Sequence, residues 1–569
     1  MFKLVKVPFK ALDVVNARMA KGFNWLVKKE KLQHRDPYGI ARAFFHGSFV
    51  IGMPYLVAQA NGYELGPFGV PVWIGGAVYT YRAWRDVYKT KKEADTYGDA
   101  RFLEFHELKK AGLIGKTGLL LGKMKGKFIS KPETMEGHVI VIGPPGSGKT
   151  SGFVIPSLWV WQDSALVFDP KGGELSEKTA VYRSRFQKVY VFNPFAEKCD
   201  QYNPLDFCHT TDEALSMAEI LIPQENKANA YWEEMARSIV AAAIYEGHLK
   251  HRTLTEVCKF ICSNDIGELK EYYLNHPNEK VRLLASPLRH LEDKVQSYVM
   301  SDLMRSLNKI AADDNIKRAT SQSDWDLNEL ESRATIYLSV PEEKLKLPQY
   351  RKLMNIIINQ AVDHLSARKE VKKNDKRPRI LFMIDELPTL GHIPSLLQSL
   401  ATLRSRGVVL SLAFQAMSQL DDIYQVNGRK TIMNICPFKL VFGIDEPETQ
   451  RYFSDRAGTK TIKTESINRS EDREGYERVS ISESETGVPL IHPNDWSDLQ
   501  KKPVLFTTSK HPARLEIIEY WKDFQLNQIM RRKLKEVVKQ RQRKEIIVDH
   551  MKEIVGDITP QENERREAN

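Results

Sequence analysis

The stretch "HVIVIGPPGSGKT", residues 138–150, constrains the fold more than any other part of this chain. Its apolar start, 138–142, reads as a buried strand, a glycine-rich turn follows, and a helix begins behind it. Gly143-x4-Gly148-Lys149-Thr150 has the spacing of a phosphate-binding loop. In such a loop the glycines let backbone N–H groups close on phosphates, the lysine reaches the β- and γ-phosphates, and the hydroxyl binds Mg²⁺. The expected ATP-binding set is Gly143, Pro144, Pro145, Gly146, Ser147, Gly148, Lys149, Thr150 and Ser151, with Thr150 also a metal ligand. Pro156 should kink or end the helix in its second turn.

Such a loop needs a second strand that carries carboxylates. "RPRILFMIDELPTLG" (377–391) supplies one, a continuous apolar run that ends in Asp385-Glu386. Runs of this kind fit a strand buried on both faces of a parallel sheet. Asp385 is expected in the Mg²⁺ shell and Glu386 on the attacking water. Two more strands have polar tips: "SALVFDPKGGEL" (164–175) turns at Asp169, and "VVLSLAFQ" (408–415) ends at Gln415. In a doubly wound α/β sheet the site lies at the carboxyl ends of the strands, so Gln415 either senses the γ-phosphate or positions water, or is a solvated strand end. The expected catalytic set is Lys149, Glu386 and Gln415. Residues 205–325 switch to apolar spacings of three and four, an all-α insertion, and "RATIYLSVP" (333–341) returns to strand.

At 569 residues the chain exceeds one core and suggests two to four domains. No cleavable signal is expected at its start, where Lys and Arg recur. Two apolar runs, 43–60 and 65–81, are each just long enough as helices to cross a bilayer and read as a transmembrane hairpin. Residues 1–42 carry ten Lys/Arg against three acids, and 82–92 carry five against Asp86, so both termini should face the cytoplasm. The net charge of +11 favours a polyanionic partner, nucleic acid or anionic lipid. Five cysteines form no zinc-binding pattern and read as reduced thiols. Residues 466–487 read as a charged, mobile insert, and a helix over 531–546 carries eight Lys/Arg against two Glu.

Taken in order, the hairpin, "YGDARF" (97–102), the loop with "VIPSL" behind it, "FDPKGGEL", "AYWEEMAR", "IDELPTLG" and "AFQAMSQLDDIY" resemble the type IV secretion coupling proteins of the TraG/TraD-like family over roughly residues 40–455. The resemblance implies a RecA-like P-loop ATPase domain, a helical domain facing the cytoplasm, a homo-hexamer and an inner-membrane anchor. It further implies ATP-driven movement of DNA, largely without sequence preference, alone or with a relaxase or secreted protein, into the other components of a type IV channel. A membrane-anchored chromosome translocase and a coupling protein dedicated to effectors are the alternatives. No LSGGQ-like signature or N/TKxD base reader points to an ABC transporter or a GTPase. A non-enzymatic scaffold leaves Lys149 and Glu386 unexplained.

The expected division is a basic N-terminal segment (1–42), the hairpin and its basic flank (43–92), the nucleotide-binding domain in two parts (93–204 and 326–525) around the all-α domain (205–325), and a basic helical tail (526–569). The family pattern DPKGE here gains a glycine, Asp169-Pro170-Lys171-Gly172-Gly173-Glu174, which leaves open the acidic partner of that turn. RecA-like motors commonly complete each site with an arginine from the next subunit, and Arg404 and Arg406 are the candidates.

Overall fold

A computed structural model describes residues 96–224, 230–372, 375–471, 477–499 and 501–528. The basic N-terminal segment, the apolar hairpin and the 531–546 helix lie outside the described residues. Among the described residues, no helix is long and apolar enough to cross a membrane. The described chain forms two units, one of residues 96–100 and 458–490, the other of 101–457 and 491–528.

The larger unit holds a small antiparallel pair, β1 (Leu119–Met124) and β2 (Lys127–Lys131), and then the strands of its main sheet. These begin with β3 (Val139–Ile142), β4 (Ser164–Asp169), β5 (Lys188–Phe192), β6 (Ala334–Ser339) and β7 (Ile380–Ile384). They continue with β8 (Val408–Phe414) and β9 (Phe438–Val441). In the smaller unit are β10 (Thr459–Glu471) and β11 (Glu477–Pro489), after which β12 (Val504–Phe506) and β13 (Ala513–Arg514) return to the main sheet. Its order is β13-β12-β9-β3-β8-β7-β4-β6-β5. From β9 to β5 all neighbours are parallel, and β12 and β13 extend the sheet antiparallel at one edge.

The apolar runs explain this arrangement. Strands β3, β4, β6, β7 and β8 are buried at every position, as a parallel sheet covered on both faces requires. Strand β8 lies between the loop strand β3 and the acid strand β7, with Phe414 beside Ile142 and Leu412 beside Ile384. The carboxyl ends of β3, β8, β7 and β4 therefore sit side by side.

Between β5 and β6 the described residues are helical. The longer helices are Thr211–Leu221, Ala230–Leu249, Leu254–Cys262, Ile266–Leu274 and Gln296–Ala311. Three of them start at capping boxes, Thr210 with Glu213, Thr253 with Glu256 and Asp265 with Glu268, which satisfy N–H groups the first turn leaves free. This segment belongs to the same unit as the sheet. All five cysteines are free thiols, and burial raises the pKa of each.

The smaller unit corrects one expectation. Within the segment read as a charged, mobile insert, residues 466–471 and 477–487 are strand and make up most of two long antiparallel strands, with β10 and β11 in register from Thr459 opposite Pro489 to Glu471 opposite Glu477. Thr459, Thr461, Ile462, Thr464, Ile467, Val479 and Ile481 give both strands the β-branched content that strands favour. Charged residues among them hide that pattern. The "YGDA" segment pairs with the start of β10, where Thr461 N donates to Gly98 O at 3.1 Å and Ala100 N to Thr459 O at 3.0 Å. Gly98 has φ +151, and a Cβ there would stand 2.2 Å from Thr459 O, so only glycine fits.

Candidate active site

The loop after β3 turns on Gly146 (φ +76) and Gly148 (φ +96), both in the region that favours glycine. A Cβ at Gly148 would meet Ile517 at 2.5 Å. Lys149 is 8% exposed, and its ammonium folds back onto its own loop, donating to Gly143 O and, at 3.2 Å, to Pro144 O. Burial lowers its pKa, while the nearby Glu386 and Asp385 carboxylates oppose that shift.

The helix behind the loop does not end at Pro156. It opens with a π turn, Thr150–Val154, in which Ile155 N donates to Thr150 O, and continues as α-helix over Ile155–Val160. Proline has no N–H for the carbonyl four residues back and its ring crowds that carbonyl. A turn widened by one residue absorbs both effects, and such turns recur at functional sites.

Strand β7 delivers the two acids. Thr150 Oγ1 donates to Asp385 Oδ2 at 2.9 Å. Asp385 is 4% exposed, and its second oxygen, Oδ1, is buried without a hydrogen-bond partner among the described residues. Burial pushes its pKa up to about 7, against the Thr150 hydrogen bond and the Lys171 and Lys149 cations. Glu386 is also raised by burial, and Gln415 Nε2 reaches its Oε1 at 3.5 Å. The middle position of β8 brings Gln415 there, and Gln415 N is held by Gln419 Oε1 at 2.8 Å.

The turn after β4 answers the question of its acidic partner. Asp169 is fully buried, and its two oxygens accept from Lys171 N (3.1 Å) and Leu175 N (2.8 Å), so it clamps its own turn. Gly172 (φ +73) and the added Gly173 (φ +126) make that turn possible. Glu174 follows, paired with Lys178 at 2.5 Å and with Lys171 at 3.4 Å. Lys171 Nζ lies 3.3 Å from Thr150 Oγ1. Reading the motif for its glycines missed Lys171, although a lysine in the turn after a carboxyl strand end was the available signal.

Together these groups line a cleft of about 550 Å³. Its walls include every residue from Pro144 to Ser151, with Lys171, Glu174, Glu342, Asp385, Glu386, Gln415 and Gln419. Of the expected set only Gly143 is not part of the lining, and its carbonyl holds Lys149 instead. Among the described residues no group of three or more His, Cys, Asp or Glu could hold a metal alone. One hydroxyl and one carboxylate with a free buried oxygen suit Mg²⁺, which is usually held by one or two carboxylates with substrate phosphates and water. Arg404 and Arg406 precede the amino end of β8, a strand whose length runs roughly 23 Å, and neither lines this cleft. A second cavity of about 330 Å³, lined by His209, Glu213, Asn359, Asp363 and His364 among others, shares no residue with this cleft.

A family profile described as type IV secretory system conjugative DNA transfer matches residues 95–550. Protein VirD4 of Agrobacterium fabrum is 25% identical over 468 residues, which cover 76% of this chain and 67% of that protein. Conjugal transfer protein TraG of Escherichia coli is 25% identical over 451 residues, 70% of each chain. Among solved structures, the unbound bacterial conjugative coupling protein TrwBdeltaN70 aligns with a TM-score of 0.57 at 16% identity, over 74% of this chain and 92% of that one. Plasmid coupling protein TrwB in complex with ADP and Mg²⁺ aligns with a TM-score of 0.56 at the same identity, over 74% and 93%. At that identity the structural likeness establishes the fold.

Proposed function

This chain belongs to the type IV secretory system conjugative DNA-transfer family, and from that premise we propose that it is the ATP-driven coupling protein that feeds DNA, alone or with attached protein, into the secretion channel. The observation that carries the reading is the convergence of Lys149, Thr150, Asp385, Glu386 and Gln415 on one cleft at the carboxyl ends of adjacent strands. The relatives named for conjugal transfer and the TrwB complex with ADP and Mg²⁺ support it.

In this reading the backbone N–H groups of 143–150 and the Lys149 ammonium bind the ATP phosphates. Thr150 Oγ1 and Asp385 would hold a Mg²⁺, whose chemistry would be to neutralise phosphate charge. Glu386 orients the attacking water and accepts its proton. Gln415, bonded to Glu386, lies where loss of the γ-phosphate would be felt at the start of the helix Met417–Ile435. Arg404 and Arg406 are candidates to complete a neighbouring subunit's cleft in a homo-hexamer.

DNA as cargo is supported by the family and by the net charge of +11. A translocase cannot depend on base sequence, so its contacts fall on phosphates. The expected result is ATPase activity stimulated by DNA with little sequence preference. Binding should weaken with salt at a log–log slope of roughly −0.7 per phosphate contacted on single strands. Stimulation should therefore vanish at salt concentrations that leave basal turnover intact. ATPase activity indifferent to any DNA yet raised by a secreted protein would replace DNA with effectors as the cargo.

The apolar runs 43–60 and 65–81 are proposed to anchor the protein in the inner membrane, with both termini in the cytoplasm. Removal of residues 1–92 is expected to move the protein to the soluble fraction while ATP binding persists, because β3 starts well past the cut. A truncated chain that still sediments with membranes would place the anchor elsewhere.

A further inference from the structure

We propose that Lys171 is a second lysine aimed at the terminal phosphate of the nucleotide, and that Glu174 holds it until that phosphate arrives. The inference rests on reading the cleft as an ATP site. Its position is fixed by the backbone. Asp169 ties down the N–H groups of Lys171 and Leu175, and Pro341 packs against Gly172, where a Cβ would meet its ring at 3.2 Å. The Lys171 side chain thus springs from a rigid turn on the wall facing the phosphate-binding loop. It is 49% exposed, so it is free to move within the cleft.

Its present partners are weak ones. Lys171 Nζ is 3.3 Å from Thr150 Oγ1, whose proton goes to Asp385. That oxygen is the proposed Mg²⁺ ligand, and a metal cation there would repel the Lys171 ammonium. Glu174 is the other partner, at 3.4 Å, but its charge is already countered by Lys178 at 2.5 Å. A γ-phosphate brings more negative charge and more acceptor oxygens than Glu174 can offer, and charge-assisted hydrogen bonds are the strong ones. A diphosphate lacks that group. Lys149 serves the β-phosphate as well as the γ, so it cannot tell the two nucleotides apart by itself. Lys171 can, because only the terminal phosphate competes with Glu174 for it.

The test is equilibrium binding of a non-hydrolysable ATP analogue and of ADP, each with Mg²⁺, to the purified full-length chain. Lys171→Ala should weaken the triphosphate analogue about tenfold or more while ADP changes less than about threefold. Lys171→Arg, which restores a cation on the same turn, should keep the analogue within about threefold of the unaltered protein. Equal losses for both nucleotides would make Lys171 a support of the turn and overturn the proposal, as would no loss at all. Failure of the unaltered chain to bind either nucleotide would instead remove the ATP-site reading beneath it.

Discussion

Glu386→Gln is expected to bind ATP and Mg²⁺ as well as the unaltered protein does and to hydrolyse it at least about a hundredfold more slowly. A positioned general base contributes roughly 10²–10⁴ to a rate, and glutamine cannot accept the proton of the attacking water. The substitution keeps size and keeps an amide oxygen for Gln415 Nε2, which now reaches Glu386 Oε1 at 3.5 Å, so the cleft should stay assembled. Burial raises the Glu386 pKa, with Lys149 and Gln415 holding it down. Its base form is therefore lost at a higher pH than for an exposed glutamate, and turnover in the unaltered protein should fall on acidification at a higher pH than an exposed glutamate would set. Lys149→Ala makes the contrast, since it removes the cation that holds the phosphates and should lose binding and turnover together. Filter retention of nucleotide alongside phosphate release separates the two outcomes. Turnover at the unaltered rate in Glu386→Gln would end the assignment of the water-activating role.

The parts of this site that were legible in the sequence are those set by local rules. Glycine spacing gave the turn at Gly146 and Gly148, because few other residues accept those dihedrals. Unbroken apolar runs gave β3, β4, β7 and β8. What could not be read locally was pairing. Nothing in "VVLSLAFQ" says that it lies between the loop strand and the acid strand, yet that position is what puts Gln415 beside Glu386. The tip acids Asp169 and Asp385 look alike in sequence, and only hydrogen bonding separates a turn clamp from a carboxylate with a free oxygen. The helix Met417–Ile435 holds a break no pattern announces. Gln425 has φ 58 and ψ 170, a conformation otherwise almost confined to glycine. It stands next to the buried Tyr424, and an Arg429–Asp421 ion pair of 2.7 Å spans the break.

Arg183→Met is the substitution expected to cost the most stability. Arg183 is fully buried, and among the described residues its hydrogen-bond partners include no carboxylate. Its Nε donates to Thr335 Oγ1 at 2.6 Å, Nη1 to Leu158 O at 2.7 Å and Trp161 O at 2.9 Å, and Nη2 to Asp163 O at 2.9 Å. The Asp163 carboxylate is turned elsewhere, to Arg379 N at 3.0 Å and Arg333 at 3.5 Å. Leu158 and Trp161 lie at the carboxyl end of the helix that starts in the phosphate-binding loop, where carbonyls lack intrahelical partners and the dipole favours a cation. One guanidinium thus ties that helix to β6, through Thr335, and to the entry of β4. Methionine fills similar space but leaves several buried acceptors unpaired, each worth roughly 1–3 kcal/mol, for a total loss of about 3 kcal/mol or more. Lysine keeps the charge but cannot span acceptors on three elements, so Arg183→Lys should recover only part of the loss. Denaturant unfolding of the two variants reads both effects. Stability within about 0.5 kcal/mol of the unaltered protein in Arg183→Met would mean that water replaces the guanidinium, and that the helix behind the phosphate loop is held by its apolar packing alone.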